Sequence, residues 1–499
     1  MTRAVTADVI VVGGGPAGST LAWRLARSGV RTLVLERASM PREKVCGDYV
    51  DPRGVQILGA MGCLQSLARA EPVEVSRTAT FVDWQCHYRG PIPFYGSADG
   101  LPAHGLSVPR SDLDAAMLEA AAGAGAEVHE RTTVTEVSAG QDGVSLVCQR
   151  ASSSARYAAP LIVGADGVNS IVARSQGLAA EDPKRTVVAR RAYALGELEA
   201  ADGPETEVFF GERLYPGYGW VFPAPGGRVN LGIGLLSETR RDRDAQIPAL
   251  FSEFVEGLRR NHPSCGGLEL CSKPIGGVVR TFGAAGPNHF DGGLLVGDAG
   301  CFVNPMTGEG ITPGMESALL AAPVLLAALE KGDYGAGALK CYEAAFRDYF
   351  GPSMIFLDLC AAMLRNRHLT RPWLRALARG CQVAHVDAGF AETSGSFFGG
   401  LDVKPLGIIG QVWSRVAEDV ALAWPRFLSG ASRRDGRPRE TTPADLLDWQ
   451  IALARSALTD TSAHIRWSLE LQRLWGELLT SARRSPSDPR AQGLLSDTA

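Results

Sequence analysis

Gly13, Gly15 and Gly18 are the first residues whose types and spacing imply chemistry: they stand in G-x-G-x-x-G order, and Glu36 follows. Gly13 permits a tight turn, Gly15 lets the backbone approach a pyrophosphate, and Gly18 lets a helix pack closely on a strand. Pro16 and Ala17 open the helix, whose free N–H groups and positive dipole end would face the phosphates. Glu36, with Arg37 beside it, is placed to accept hydrogen bonds from an adenosine ribose. FAD and NAD both satisfy this pattern, so it predicts a dinucleotide and leaves its identity open. The second chemical feature is Cys46, a thiol between Val45 and Gly47 in a polar, turn-rich loop. Arg42 and Lys44 in the same loop are candidates to hold phosphate or to close the loop.

Regular elements must position these residues. Val9 to Val12 suits a buried parallel strand, and Pro16 to Ser28 has helical periodicity with Leu21, Leu25 and Ala26 inward. Leu33 to Leu35 makes a second strand ending at Glu36, which completes a βαβ unit. Arg53 to Leu67 predicts a helix, and Arg77 to Gly90 a strand. The stretch Val108 to Asp114 starts a helix with Ser111 as candidate N-cap, running to about Gly123. Glu127 to Val137 and Gly143 to Gln149 read as paired strands. Leu161 to Val163 is a buried strand ending in Gly164-Ala165-Asp166-Gly167. From Thr186 to Leu236 strand follows strand, which predicts an antiparallel sheet. Asp244 to Arg260 reads as a helix with Pro248 near its start. A third buried strand ends at Gly297-Asp298, and the chain from Gly314 is mostly helical. Breaks fall near Thr393 to Gly407 and Ser432 to Pro443, and a disordered tail is expected from Ser485.

Composition narrows the class. A chain of 499 residues with 45% hydrophobic content predicts two or three domains, or one large interlocked unit. A net charge of −4 excludes a basic nucleic-acid surface. Ten cysteines without C-x-x-C pairs or zinc spacing predict reduced thiols and no metal centre. The chain enters a strand without a leader pattern, so a cytoplasmic location is expected. The longest apolar run, Gly314 to Leu329, contains Glu316 and Pro323, and reads as a buried helix rather than a membrane span.

The three strand-terminal motifs together resemble the FAD-dependent group of aromatic hydroxylases, flavin halogenases and geranylgeranyl reductases, over about residues 7 to 330. The resemblance implies FAD and an α/β fold. A Rossmann-like FAD-binding domain would comprise 1–75, 101–185 and 276–330. An inserted antiparallel-sheet substrate domain would comprise 76–100 and 186–275, and a helical region 331–499. It also implies Asp298, with Gly297, on the flavin ribityl chain, Asp166 near the pyrophosphate, and Arg110, Lys44 and Val134 among the cofactor contacts.

Three stretches, Pro41 to Asp48, Tyr218 to Pro223 and Val303 to Ile311, resemble the geranylgeranyl reductase branch. In that branch a cysteine at this loop position lies by the flavin, which implies a catalytic or cofactor-contacting part for Cys46. The turn through Pro305, Gly308, Gly310 and Ile311 leads into a helix. Its N–H groups and dipole would stabilise negative charge at the flavin pyrimidine edge. Thr312 stands where hydroxylases tend to have Asn. Trp220 and Phe222 share one face of a strand and are candidates for a substrate wall, with Tyr193 and Phe210. Halogenases carry W-x-W-x-I-P; Tyr218 and Phe222 depart from it, which disfavours halogenation. Trp373, Trp413, Trp424, Trp449, Trp467 and Trp475 predict helices that pack on the core, roof an apolar cavity or form a dimer face. Gly389 to Gly407, with Phe397 and Phe398, is a candidate lid.

The expected function is a FAD-dependent monooxygenase that epoxidises or hydroxylates a large apolar isoprenoid or polyketide through a C4a-hydroperoxyflavin, with O₂ as co-substrate. The long C-terminal region and Tyr49-Val50, which depart from the reductases, carry that preference. The alternative is a geranylgeranyl-reductase-type ene-reduction with a proton from Cys46. A halogenase and a non-catalytic FAD scaffold are minor alternatives. No second dinucleotide fingerprint is present, so NAD(P)H would dock transiently or a reductase partner would supply electrons. A monomer or homodimer is expected.

Overall fold

The structure is a computed structural model and describes residues 7–92, 101–150, 153–179, 182–196, 198, 202–236, 246–284, 286–392 and 443–484. The opening apolar run forms β1 (Val9–Val12), followed by α1 (Pro16–Arg27) and β2 (Thr32–Leu35), which lies parallel to β1. Both strands are buried throughout. A strand covered on both faces needs apolar residues at consecutive positions, hence Val-Ile-Val-Val. Helix α2 (Pro52–Met61) comes next, with Pro52 in its first turn.

The stretch expected as one strand from Arg77 to Gly90 is a hairpin, β3 (Arg77–Val82) and β4 (Gln85–Pro91). Asp83 and Trp84, with φ of 47° and 68°, turn the chain without a glycine. Helix α3 (Arg110–Gly123) begins one residue before Ser111, which therefore is not its N-cap; its hydroxyl donates to Asp112 at 3.1 Å. The expected strand from Glu127 to Val137 also divides, into β5 (Glu127–His129) and β6 (Thr132–Gly140), around Arg131 at φ 53°. Strands β7 (Gly143–Arg150) and β8 (Ser153–Ala159) complete a meander with β6, and β9 (Leu161–Gly164) returns beside β1.

Next come β10 (Thr186–Leu195), β11 (Glu205–Phe210), β12 (Gly217–Ala224), β13 (Arg228–Leu236), α4 (Ile247–Asn261) and β14 (Ile275–Arg280). Strand β15 (Gly293–Leu295) joins β9 in parallel. The remaining long helices are α5 (Ile311–Lys331), α6 (Cys341–Leu364), α7 (Thr370–Ala384), α8 (Pro443–Thr459) and α9 (Thr461–Arg484).

A six-stranded sheet contains the order β15-β9-β1-β2-β5. Val9 and Val11 face a core built with α1, α2, α3, α5 and α6, and Ile10 and Val12 face one built with the meander. The second sheet has eight strands and contains the path β10-β13-β12-β11-β3-β4, with β14 on the far edge of β10. It is mixed rather than antiparallel, because β11 runs parallel to β3 from Glu205↔Arg77 to Phe210↔Val82. The hairpin enters the sheet from a separate excursion of the chain and meets β11 in the same direction. Strand β14 extends this sheet beyond residue 275, where the sequence places a boundary. Ala79, Phe81, Phe209 and Val221 pack beneath α4, so the alternate residues of the same strands face the opposite side.

Helix α5 starts at Ile311, earlier than the sequence suggests, and among the described residues it is the one helix long and apolar enough to cross a membrane. It is largely buried and packs against α1 and α6, as a core helix does. Helix α9 packs on α6, where Trp467 Nε1 donates to the Ala362 carbonyl at 2.9 Å. Helix α7 lies against β3 and β4, and Trp373 meets Trp449 of α8 edge to face at 4.9 Å. Trp413, Trp424, Phe397, Phe398, the break at 432–442 and the tail from Ser485 lie outside the described residues.

Candidate active site

Strands β1, β9 and β15 are neighbours, so the three motif loops at their carboxyl ends meet in one crevice. The contact is backbone to backbone. A Cβ on Gly13 would lie 2.4 Å from the Ala165 carbonyl oxygen, and one on Gly18 1.9 Å from that of Gly13. A Cβ on Gly297 would lie 2.8 Å from that of Ala17. A cavity of about 850 Å³ opens here, lined at one end by Gly13, Gly15, Pro16, Ala17, Glu36, Arg37 and Val134. Asp166, Gly297, Asp298, Gly308, Gly310 and Ile311 line its middle, with Lys44, Cys46 and Arg110. Gly18 and Pro305 are not in the wall; Gly18 packs behind Gly13, and Pro305 is buried under its turn.

The residues fit a dinucleotide. No side chain caps α1, so its first N–H groups are open to an anion. At the Cβ position of Gly15 only the Arg42 guanidinium comes within 4 Å, at 3.4 Å, which leaves room for a phosphate. Glu36 is fixed at the cavity edge: Oε2 accepts the Gly14 N–H at 2.7 Å and Oε1 that of Ala38 at 2.8 Å. Asp166 Oδ2 accepts the Ile171 N–H at 2.6 Å, and Lys44 Nζ lies 3.3 Å from Asp298 Oδ2.

Arg110 is buried and bidentate to Asp114, at 2.8 and 2.9 Å, and Arg42 reaches Asp114 at 3.0 Å. The Arg110 charge also bears on the Cys46 thiol. Burial pushes that thiol up in pKa, against the opposing pull of Arg110 and of the Asp48 N–H, which donates to Sγ at 3.3 Å. Cys46 therefore keeps its proton at neutral pH. Arg110→Leu is expected to cost about 3 kcal/mol, because Asp114 loses one of two cationic partners in a buried site. A urea midpoint measures that loss, and thiol titration should show Cys46 moving further up.

Trp220, Phe222 and Phe210 line the cavity, and Tyr193 does not. Tyr193 stands behind the wall and donates its hydroxyl to Asp48 Oδ2. Arg191 and Arg228 lie over its ring at 4.5 and 5.3 Å. Asn230 Nδ2 donates to Asp48 Oδ2 at 2.7 Å and to the Cys46 carbonyl at 2.9 Å, and its Oδ1 accepts from Trp220 Nε1 at 3.1 Å. A Cβ on Gly47 would lie 3.0 Å from the Phe222 ring. The Cys46 loop is therefore pressed onto β12. Asp48, buried at φ 64°, and Asn230 are site residues that sequence reasoning did not assign. Asp48 lies within the stretch that resembles reductases; Asn230 has no local signal, since its place depends on pairing with Phe222 across β12 and β13.

Tyr218 donates its hydroxyl to the Thr307 carbonyl and so ties β12 to the turn before α5. Beyond Phe210 the cavity continues as an apolar arm. Thr80, Tyr88 and Ile92 form one wall, and Leu374, Leu377 and Phe390 the other.

A glycine-lined crevice at the carboxyl ends of parallel strands, joined to an apolar pocket, defines a dinucleotide-dependent oxidoreductase. Residues 6–350 match the FAD binding domain model, and the chain belongs to that family as a FAD-dependent oxidoreductase. It is 34% identical over 340 residues to menaquinone reductase of Mycolicibacterium smegmatis, across 64% of this chain and 76% of that one. It is 30% identical over 367 residues to digeranylgeranylglycerophospholipid reductase 2 of Methanopyrus kandleri, across 69% and 83%. Its fold matches the crystal structure of a geranylgeranyl bacteriochlorophyll reductase-like protein from Thermoplasma acidophilum, with a TM-score of 0.64 at 24% identity, covering 76% of this chain and 92% of that one.

Proposed function

We propose that the chain reduces a carbon–carbon double bond of a large isoprenoid, with Cys46 as the proton donor. The observation that carries this reading is the Cys46 thiol, its pKa raised by burial, set in the cavity wall between the glycine-rich motif loops and an apolar arm. The relatives named above as reductases support it over the oxygenase reading. The features that favoured oxygenation add no oxygen chemistry to the cavity: Tyr49 packs on the Phe222 ring at 6.0 Å, and α7 supplies apolar wall.

Reduced FAD, when bound, supplies a hydride. The loops at Gly13, Asp166 and Asp298 hold the cofactor, and Trp220, Phe222 and Phe210 orient the alkene and keep water out. The Cys46 S–H bond breaks as its proton passes to the second alkene carbon. The resulting thiolate is held by the Arg110 charge and the Asp48 N–H until solvent returns a proton. NAD(P)H docked transiently, or a reductase partner, restores the reduced cofactor. In this reading 1–75, 101–185 and 276–330 chiefly hold FAD, and the second sheet with the helices after 331 encloses the substrate.

The test is incubation of the dithionite-reduced holoprotein with menaquinone and with geranylgeranyl lipids, in parallel without oxygen and in air, followed by mass spectrometry. A product heavier by two hydrogens is expected. A product heavier by one oxygen atom, formed only in air, would overturn the reading in favour of oxygenation.

A further inference from the structure

Asn230, on β13, is fully buried, and its side chain joins three parts of the site. Nδ2 has two protons and uses both: it donates to the Cys46 carbonyl at 2.9 Å and to Asp48 Oδ2 at 2.7 Å. Oδ1 accepts from Trp220 Nε1 at 3.1 Å. The partners decide which way round the amide lies, because two acceptors face its nitrogen and a donor faces its oxygen. An ionised aspartate here would have nothing to donate, and an aliphatic side chain would deprive the loop carbonyl and the indole N–H of this partner in a buried place.

The amide stands between the thiol loop and the aromatic wall. On the wall side, packing seats the indole as well: a Cβ on Gly232 would lie 2.2 Å from the Trp220 ring, and one on Gly47 3.4 Å from Nε1. On the loop side, Asp48 has a φ of 64°, a left-handed conformation that a residue other than glycine keeps where its surroundings hold it. Tyr193 and Asn230 hold it by the carboxylate, and the Asp48 N–H donates to Cys46 Sγ at 3.3 Å. Arg191 holds the start of the loop, donating to the Lys44 carbonyl at 3.1 Å. Asn230 grips the backbone of Cys46 itself.

We propose that Asn230 is a positioning residue: its amide sets the Cys46 thiol at one distance from the Trp220 wall, so that an alkene lying against that wall has the thiol proton within reach. The proposal rests on the reading of Cys46 as proton donor. Proton transfer needs hydrogen-bond distance, so a loop displaced by about 1 Å costs as much as 100-fold in rate while the pocket still takes its substrate. The wall keeps its seat on Gly232, and the loop keeps its anchor at Arg191, when the amide is removed.

The first test needs no substrate. Alkylation of the holoprotein by iodoacetamide, followed on the Cys46 peptide by mass spectrometry, reads how firmly the loop is held. Asn230→Ala should speed it about tenfold, the size of one lost hydrogen bond. Trp220→Phe removes the indole N–H but leaves both Asn230 donors in place, so its rate should stay close to native. An unchanged rate in Asn230→Ala, or an equal rise in Trp220→Phe, would overturn the proposal. If Asn230→Ala does not retain FAD, Asn230→Asp, which keeps the volume of the side chain, carries the same expectation. The second test is turnover of a geranylgeranyl lipid by the reduced holoprotein. Asn230→Ala should lower kcat about 100-fold with KM close to native, and its solvent deuterium isotope effect should rise as proton transfer becomes the slow step. A raised KM with kcat kept would show that Asn230 shapes the wall alone, and would overturn the positioning of the thiol. Failure of the native protein to reduce any isoprenoid would leave the alkylation result standing and count against the proposed reaction alone.

Discussion

Cys46→Ala is expected to lower double-bond reduction by about two to four orders of magnitude, the usual contribution of a positioned general acid. FAD content and reduction by dithionite should stay close to native, because the phosphate crevice is built from the Gly13, Asp166 and Gly297 loops and not from the thiol. The expected pH profile follows from the direction of the thiol shift. A proton donor works while it holds its proton, and burial raises the Cys46 pKa above the ordinary thiol value. Activity should therefore persist through neutral and mildly alkaline pH, and fall only as pH rises through that elevated value. The residual activity of Cys46→Ala should lack this alkaline limb. Rapid-quench measurement of product across pH would decide the matter; equal turnover in variant and native protein would remove Cys46 from the mechanism.

The second large effect is expected at Gly18. The missing Cβ there would stand 1.9 Å from the Gly13 carbonyl oxygen and 3.1 Å from the Ala165 side chain. Neither the carbonyl nor the strand behind it can retreat, since β1 is paired on both sides. Gly18→Ala should cost about 3 kcal/mol or more by overpacking, and the protein should purify without its yellow colour. Gly29 is the informative control, because its Cβ would meet nothing within 4 Å although its φ is +79°. Gly29→Ala should cost only about 1 kcal/mol of backbone strain and keep FAD. Thermal midpoints and visible flavin absorbance of the two variants would separate crowding of the crevice from strain. Comparable losses at both positions would show that the close approach at Gly18 is not what the fold depends on.

The parts legible in the sequence are those whose signals are local. The β1-α1-β2 unit, its glycines and Glu36 lie within a few turns of one another, and strand burial is written in consecutive apolar residues. Parity puts Trp220 and Phe222 on one face of a strand, and both line the cavity. Tyr193 shows where parity stops: it gives the face of the sheet, not the point at which the Val45–Asp48 loop covers that face. The hairpin at Asp83-Trp84 is not legible in the sequence because its turn has no glycine or proline. Asp48 with Asn230 is illegible for another reason. The pair forms only after a loop and a strand far apart in sequence have packed. Oxygenation and reduction also share the cofactor-holding residues, so the choice between them rests on the thiol, its surroundings and the relatives.

The family match ends at residue 350, whereas α7 begins at Thr370 and forms the far wall of the apolar arm. The Cys46 loop and the turn before α5 are both fastened to β12, through Gly47 on Phe222 and through the Tyr218 hydroxyl. The Cys46 end of the pocket thus has its dimensions set by a single strand inside the residues that the family model matches. The end that would gauge a substrate's length is supplied by a helix beyond the residues that the family model matches. Exchange of that helix between related chains would retune which molecules are accepted while leaving the spacing of thiol and flavin loops unchanged.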